Sequence, residues 1–155
     1  MTRAFLDTIV LAYLFDSRSP AKQAKAEELL RTGHEFVLST QVMLELHSVL
    51  TRKVDPPLTG AQAETVLSSL QRWDVVPADA APVMRAARTV VEFHVSLWDA
   101  MVIEAARLGG CAELWTEHLA DGADLRGGRV VNPSRGCEPL AAEADLVDRP
   151  CAALV

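Results

Sequence analysis

The period of the apolar positions changes repeatedly along the chain, and each change marks an element. Ala4-Phe5-Leu6 is a short apolar run stopped by Asp7-Thr8, and the run that follows, Ile9 to Phe15, is too long for one strand. The start therefore reads as strand, turn and short helix. Ser19-Pro20 supplies a cap and a proline at the first helical position for a helix over Ala21 to Arg31, which Gly33 closes. Phe36 to Leu38 predicts a second strand, and Ser39 or Thr40 caps a helix running to about Lys53. Thr59 opens T-x-x-Q, a capping box for a helix reaching Gln71, and Trp73 to Val76, bounded by Pro77, is a third strand. Helices from Asp79 to Phe93 and from the Ser96-Leu97-Trp98-Asp99 capping box to Gly109-Gly110 come next. A fourth strand over Leu114 to Thr116 and a fifth over Arg129 to Val131 complete the pattern.

Short strands alternating with longer helices define an α/β domain: three layers, with a mostly parallel central sheet and helices on both faces. Ligands of such sheets bind beyond the carboxyl ends of the strands. After Asn132-Pro133 the alternation stops. The domain is therefore expected over residues 1–134, with residues 135–155 as an appendage of unassigned role that holds a short helix near Ala141 to Val147.

Composition narrows the class. A chain of 155 residues that is 50% apolar supports one domain with its own core and not two. Apolar runs fall well short of the ~18 residues of a membrane span, and Asp7 interrupts the stretch where a secretion signal needs continuous apolar character. Cys111, Cys137 and Cys151 are an odd number without C-x-x-C spacing, which argues against a disulfide scaffold or zinc knuckle and fits a reducing cytoplasm. With 15 basic and 21 acidic residues the net charge is −6, so the chain does not grip nucleic acid by bulk charge. Any nucleic-acid chemistry must be local.

Three acids occupy informative positions. Asp7 lies at the carboxyl end of the first strand, where it can also cap the helix that follows. Val42, Glu45, Leu46 and Val49 share the i, i+3, i+4, i+7 spacing, so Glu45 interrupts a core-facing stripe and needs a partner or a cation. Asp99 shares a helix face with Val102, Ile103 and Ala106 while standing third after the cap residue Ser96. A salt bridge or an ordinary cap accounts for any one of them alone. Carboxylates that converge repel one another, a divalent cation relieves the repulsion, and oxygen donors select hard ions such as Mg2+ or Mn2+. The scattered histidines His34, His47, His94 and His118 offer no zinc motif, and phosphate-loop, dinucleotide and serine-hydrolase signatures are missing.

The segments Phe5 to Asp16 (FLDTIVLAYLFD), Ser39 to Lys53 (STQVMLELHSVLTRK), Ser96 to Ala106 (SLWDAMVIEAA), Leu114 to Gly122 (LWTEHLADG) and Val130 to Pro133 (VVNP) resemble, in order and spacing, a PIN-domain ribonuclease of the VapC toxin type. The resemblance implies a PIN-like fold, Mg2+- or Mn2+-dependent endonucleolytic cleavage of RNA, homodimerisation, and neutralisation by a VapB-type antitoxin. Asp7, Glu45 and Asp99 match three acids of that family's metal site. Two positions depart from it. Ile9 stands where the family's D-T-N motif has asparagine, and His118 stands where its T-E-D motif has a fourth acid. Glu117 or Asp121 could substitute for that acid, and His118 could itself ligate Mn2+. Arg18, Arg52 and Lys53 are candidate RNA contacts. The competing expectation is a PIN domain that has lost catalysis and serves as a protein- or RNA-binding module.

Overall fold

In a computed structural model describing residues 1–126 and 128–137, the chain runs β1 (Arg3–Leu6), α1 (Thr8–Ala12), a 3-10 turn (Tyr13–Phe15), α2 (Pro20–Leu30), β2 (Glu35–Ser39) and α3 (Thr40–Arg52). It continues through α4 (Gly60–Leu70), β3 (Asp74–Val76), α5 (Ala80–Phe93), α6 (Leu97–Leu108), β4 (Glu113–Trp115), β5 (Asp124–Leu125) and β6 (Gly128–Val131). The expected helix near Ala141 to Val147 lies outside the described residues, as does Cys151.

The strands form one sheet in the order β3-β2-β1-β4-β6-β5. Every pairing is parallel except β5 with β6. The chain steps outward from β1 to β2 and β3, then returns through α5 and α6 to β4 on the other side of β1. Right-handed crossovers in these two directions put α1 to α4 on one face and α5 with α6 on the other, and α1, α3 and α4 pack together while α6 lies on β2, β4 and β6. The chain is thus the expected three-layer α/β domain. Strands buried on both faces read as continuous apolar runs, and Ala4, Phe5, Leu6, Val37, Leu38, Leu114 and Val130 are each at most 1% exposed.

Local chemistry sets the element ends. Ser39, not Thr40, caps α3 by accepting from the Val42 N–H, and Thr59 and Gln62 form both halves of the expected capping box. Pro20 occupies the first position of α2. Gly109 ends α6 against β2, where a Cβ would stand 2.8 Å from Val37 Cγ1, so only glycine permits this approach. β5 is the element that the pattern does not announce, because two residues in a hairpin carry no period. No described helix is long and apolar enough to cross a membrane. Cys111 is a core thiol that burial pushes up to about 11, and Cys111 and Cys137 are both free.

The connection between the 3-10 turn and α2 is pinned by Asp16, which is 1% exposed. Arg18 Nε and Nη2 each donate to its carboxylate at 2.9 Å, and Arg18 Nη2 also donates to the Lys53 carbonyl at 2.8 Å. Arg18 is therefore a structural clamp between this connection and the end of α3. Burial raises the Asp16 pKa, but the Arg18 side-chain bonds, its backbone N–H, its charge and the Asp55 N–H outweigh burial and hold the carboxyl below its ordinary value. Stability from a depressed carboxyl is complete above the unfolded value of about 3.9 and is lost as pH falls through the folded one. Asp16→Asn should cost roughly 1.5–3 kcal/mol at neutral pH and should flatten the acid limb of a plot of urea midpoint against pH. An acid limb unchanged from the parent's would remove Asp16 from the stability of this junction.

Candidate active site

β1 lies between β2 and β4 where the strand order reverses, so the crevice of the sheet opens beyond the carboxyl ends of β1 and β4. Asp7 follows β1 directly, and its N–H donates to the Trp115 carbonyl at 3.0 Å, continuing the β1–β4 ladder. The side chain is 1% exposed. Oδ1 accepts from the Thr8 N–H at 2.8 Å, which caps α1. Oδ2 accepts from Thr116 Oγ1 at 2.7 Å and lies 3.3 Å from His118 Nδ1. The donor and acceptor roles in that contact depend on the tautomer of the His118 ring.

Glu45 arrives from the second turn of α3. Its Oε2 accepts from Thr8 Oγ1 at 3.0 Å and its Oε1 from Gln41 Nε2 at 2.8 Å. Both partners are uncharged, so a salt bridge does not account for this acid on a core-facing stripe. Thr8 gives its N–H to Asp7 and its hydroxyl to Glu45, and one residue thereby joins the first two acids. Asp99 stands in the first turn of α6, where its N–H donates to Ser96 Oγ at 3.1 Å. Because α6 leads into parallel β4, it begins at the carboxyl edge of the sheet, on the face opposite α3. Glu45 thus contacts Thr8, the neighbour of Asp7, from one helical layer, and Asp99 stands in the first turn of the other.

Of the three candidates for a fourth acid position, His118 is the one in contact with Asp7, its side chain 30% exposed. Glu117 is engaged by Tyr13 and Lys22. Its Oε2 accepts from the Tyr13 hydroxyl at 2.6 Å, and its Oε1 lies 3.3 Å from Lys22 Nζ, which is itself buried and donates to Tyr13 at 3.0 Å. Asp121 accepts from the Asn132 N–H at 2.9 Å and from Arg135 Nη1 at 3.0 Å, at the exit of β6. Ile9 is 2% exposed within the core and offers no polar group.

Sequence reasoning passed over the residues that organise these acids. Thr116 directly follows β4 and Thr8 stands two residues past β1, positions at the crevice that flag a polar side chain. Lys22 shares the buried face of α2 with Ala26 and Leu29 at i, i+4, i+7, so a lysine in an apolar stripe was the available signal.

Among the described residues, no three His, Cys, Asp or Glu side chains gather closely enough to hold a metal ion as they lie. Asp7 and Glu45 are instead linked through Thr8. Their oxygen donors fit a hard divalent cation in chemistry, and Asp7, Glu45 and Asp99 share one edge of the sheet.

A parallel sheet that presents carboxylates beyond its central strand defines an acid-lined α/β domain. The PIN domain family model matches residues 4–118, and the chain belongs to that family. Among solved structures it is similar to a toxin–antitoxin complex from Klebsiella pneumoniae, at 22% identity and TM-score 0.64 over 84% of this chain and 97% of that one. It is also similar to Mycobacterium tuberculosis VapC20, a sarcin–ricin loop cleaving toxin, at 20% identity and TM-score 0.57 over 72% and 86% of the two chains. A third similar structure is VapBC2 from Rickettsia felis bound to a promoter DNA fragment, at 17% identity and TM-score 0.56 over 83% and 97%. No curated sequence relative matches the chain.

If Thr8 holds the two acids in register, Thr8→Val should weaken Mn2+ binding by about 10- to 100-fold, the usual effect of removing a group that orients metal ligands, while Thr8→Ser retains it. Calorimetric titration of the folded variants measures this. Equal affinities for parent and Thr8→Val would separate Thr8 from metal binding.

Proposed function

We propose that this PIN-domain chain is a metal-dependent endoribonuclease and the toxin component of a toxin–antitoxin pair. The Asp7–Thr8–Glu45 linkage beyond β1, with Asp99 opening α6 at the same edge, is the observation that carries the reading. Asp7, Glu45 and Asp99 are the residues to hold Mg2+ or Mn2+. An ion held by these residues would supply an activated water and would offset charge building on the attacked phosphate. Asp7 is aimed by Thr8 and Thr116, Glu45 is held by Thr8 and Gln41, and the buried setting of Asp7 keeps bulk water from competing for its oxygens.

The similar structures include toxin–antitoxin complexes, which supports a VapB-type antitoxin as partner. Clustered carboxylates pair well with an arginine from a basic peptide. On α5, Val83, Met84 and Val91 are 40%, 62% and 73% exposed, a helical face that supports association with a second copy. A reducing cytoplasm suits the free thiols and an RNA substrate.

The second reading, a binding module without strong catalysis, draws on His118. An imidazole ring there stands in place of the two hard oxygens of a carboxylate. Ile9 weighs less, since it is packed into the core. The site is accordingly proposed to be weakened and to work better with Mn2+ than with Mg2+, because imidazole nitrogen suits Mn2+ better.

Metal-titrated cleavage of RNA by pure protein tests both readings. Asp99→Asn should lower Mn2+-dependent cleavage by about 100-fold or more, the scale on which loss of one charge-stabilising group acts, and leave the fold intact. His118→Asp should raise Mg2+-supported cleavage by about tenfold. An Asp99→Asn variant that cleaves as the parent does excludes the proposed metal set. A parent that neither cleaves RNA nor binds Mn2+ favours the binding module.

A further inference from the structure

A second charged assembly occupies the opposite helical layer, away from the Asp7 crevice. Glu104 of α6 is 1% exposed, and its Oε1 accepts from Thr89 Oγ1 at 2.8 Å while its Oε2 accepts from Arg107 Nε at 2.9 Å. Those two bonds already give each oxygen a partner. Two more guanidinium groups nevertheless converge on the same carboxylate, with Arg126 Nε at 3.3 Å and Arg85 Nε at 3.9 Å. The three arginines come from three separate elements: α5, α6 and the turn between β5 and β6.

The surplus has physical consequences. Arg85 Nε is buried and has no hydrogen-bond acceptor among the described residues, although buried donors are ordinarily satisfied and an exception asks for a missing acceptor. The side chains of Arg85, Arg107 and Arg126 are 42%, 35% and 33% exposed around the buried acid that gathers them. Arg126 is further fixed by Glu92 and by the Phe93 ring, 5.7 Å from its guanidinium carbon. Arg85 also lines an open cleft of about 400 Å³ in which Arg3 neutralises Asp74. Side chains held this rigidly lose little freedom when they bind, and guanidinium forks match phosphate oxygens.

The patch and the candidate site share α6, with the buried residues 100–106 between Asp99 and Arg107. At 1.5 Å per residue, Glu104 lies about 7.5 Å and Arg107 about 12 Å along the helix from Asp99. A chain of net charge −6 must hold a polyanion by local contacts, and Arg18, one of the contacts expected from the sequence, is occupied as a clamp. We propose that Arg85, Arg107 and Arg126, organised from beneath by Glu104, form a docking surface for RNA backbone phosphates flanking the scission site. This rests on the ribonuclease reading given above.

The test is binding of a short fluorescein-labelled single-stranded RNA to metal-free protein in EDTA, followed by anisotropy across a salt series. Arg107→Gln with Arg126→Gln should raise Kd about tenfold or more and flatten the slope of log K against log salt by about 0.7 for each phosphate no longer neutralised, whereas the corresponding lysine variants keep most of the affinity. Should the glutamine pair fail to fold, Arg85→Gln carries the test, because its Nε makes no hydrogen bond among the described residues; it should flatten the slope by about 0.7, the value for a single phosphate. Folded variants with the parent's Kd and salt slope overturn the proposal, as does a polyglutamate peptide that binds this patch while RNA binding ignores the substitutions. Cleavage by metal-loaded parent is scored separately. A parent that cleaves while the variants bind normally defeats only the docking surface, and a parent that never cleaves while the variants bind RNA weakly defeats only the ribonuclease reading.

Discussion

A carboxylate at the end of a fully buried central strand has few ways to exist, and Asp7 is in that position. Left alone there it would be costly, so the chain supplies the Thr8 N–H and the Thr116 hydroxyl as donors and sets the His118 ring against it. Each donor belongs to a segment that leaves a strand at the crevice, and much of the local structure follows from satisfying this group. Asp7 begins α1, Thr8 reaches across to α3, and Thr116 ties β4 to β1. The same bonds that stabilise the buried acid aim it at the open edge of the sheet, where chemistry on a phosphate is proposed to occur.

Topology then decides which other residues reach that edge. The reversal of strand order between β1 and β4 opens a crevice there, and the helices that begin beside it, α3 and α6, deliver Glu45 and Asp99 from opposite faces. Residues farther along the β4 exit are drawn elsewhere: Glu117 to Tyr13 and Lys22, Asp121 to Asn132 and Arg135. His118 is left as the residue touching Asp7 where the resembled family carries an acid.

Much of this arrangement was legible in the sequence because burial and periodicity are coupled. The apolar runs at Ala4 to Leu6 and Phe36 to Leu38 identified central strands, and an acid in the α3 stripe identified Glu45. What could not be read is side-chain partnership. Nothing in the spacing distinguishes Glu117, His118 and Asp121 as candidates, because their difference lies in which distant residue meets each one. Thr8 was likewise invisible as a bridge, since its role depends on a contact with a residue 37 positions away. Arg18 looked like any surface cation until Asp16 was seen buried beneath it.

The most direct measurement of the central claim is an anomalous-scattering crystal structure of the full chain soaked in Mn2+. The claim predicts an ion bound by carboxylate oxygens of Asp7 and Glu45, with Asp99 within its coordination shell directly or through one water. Manganese absent from this edge while the protein cleaves RNA in the same solution, or bound only at a site remote from Asp7, would contradict it.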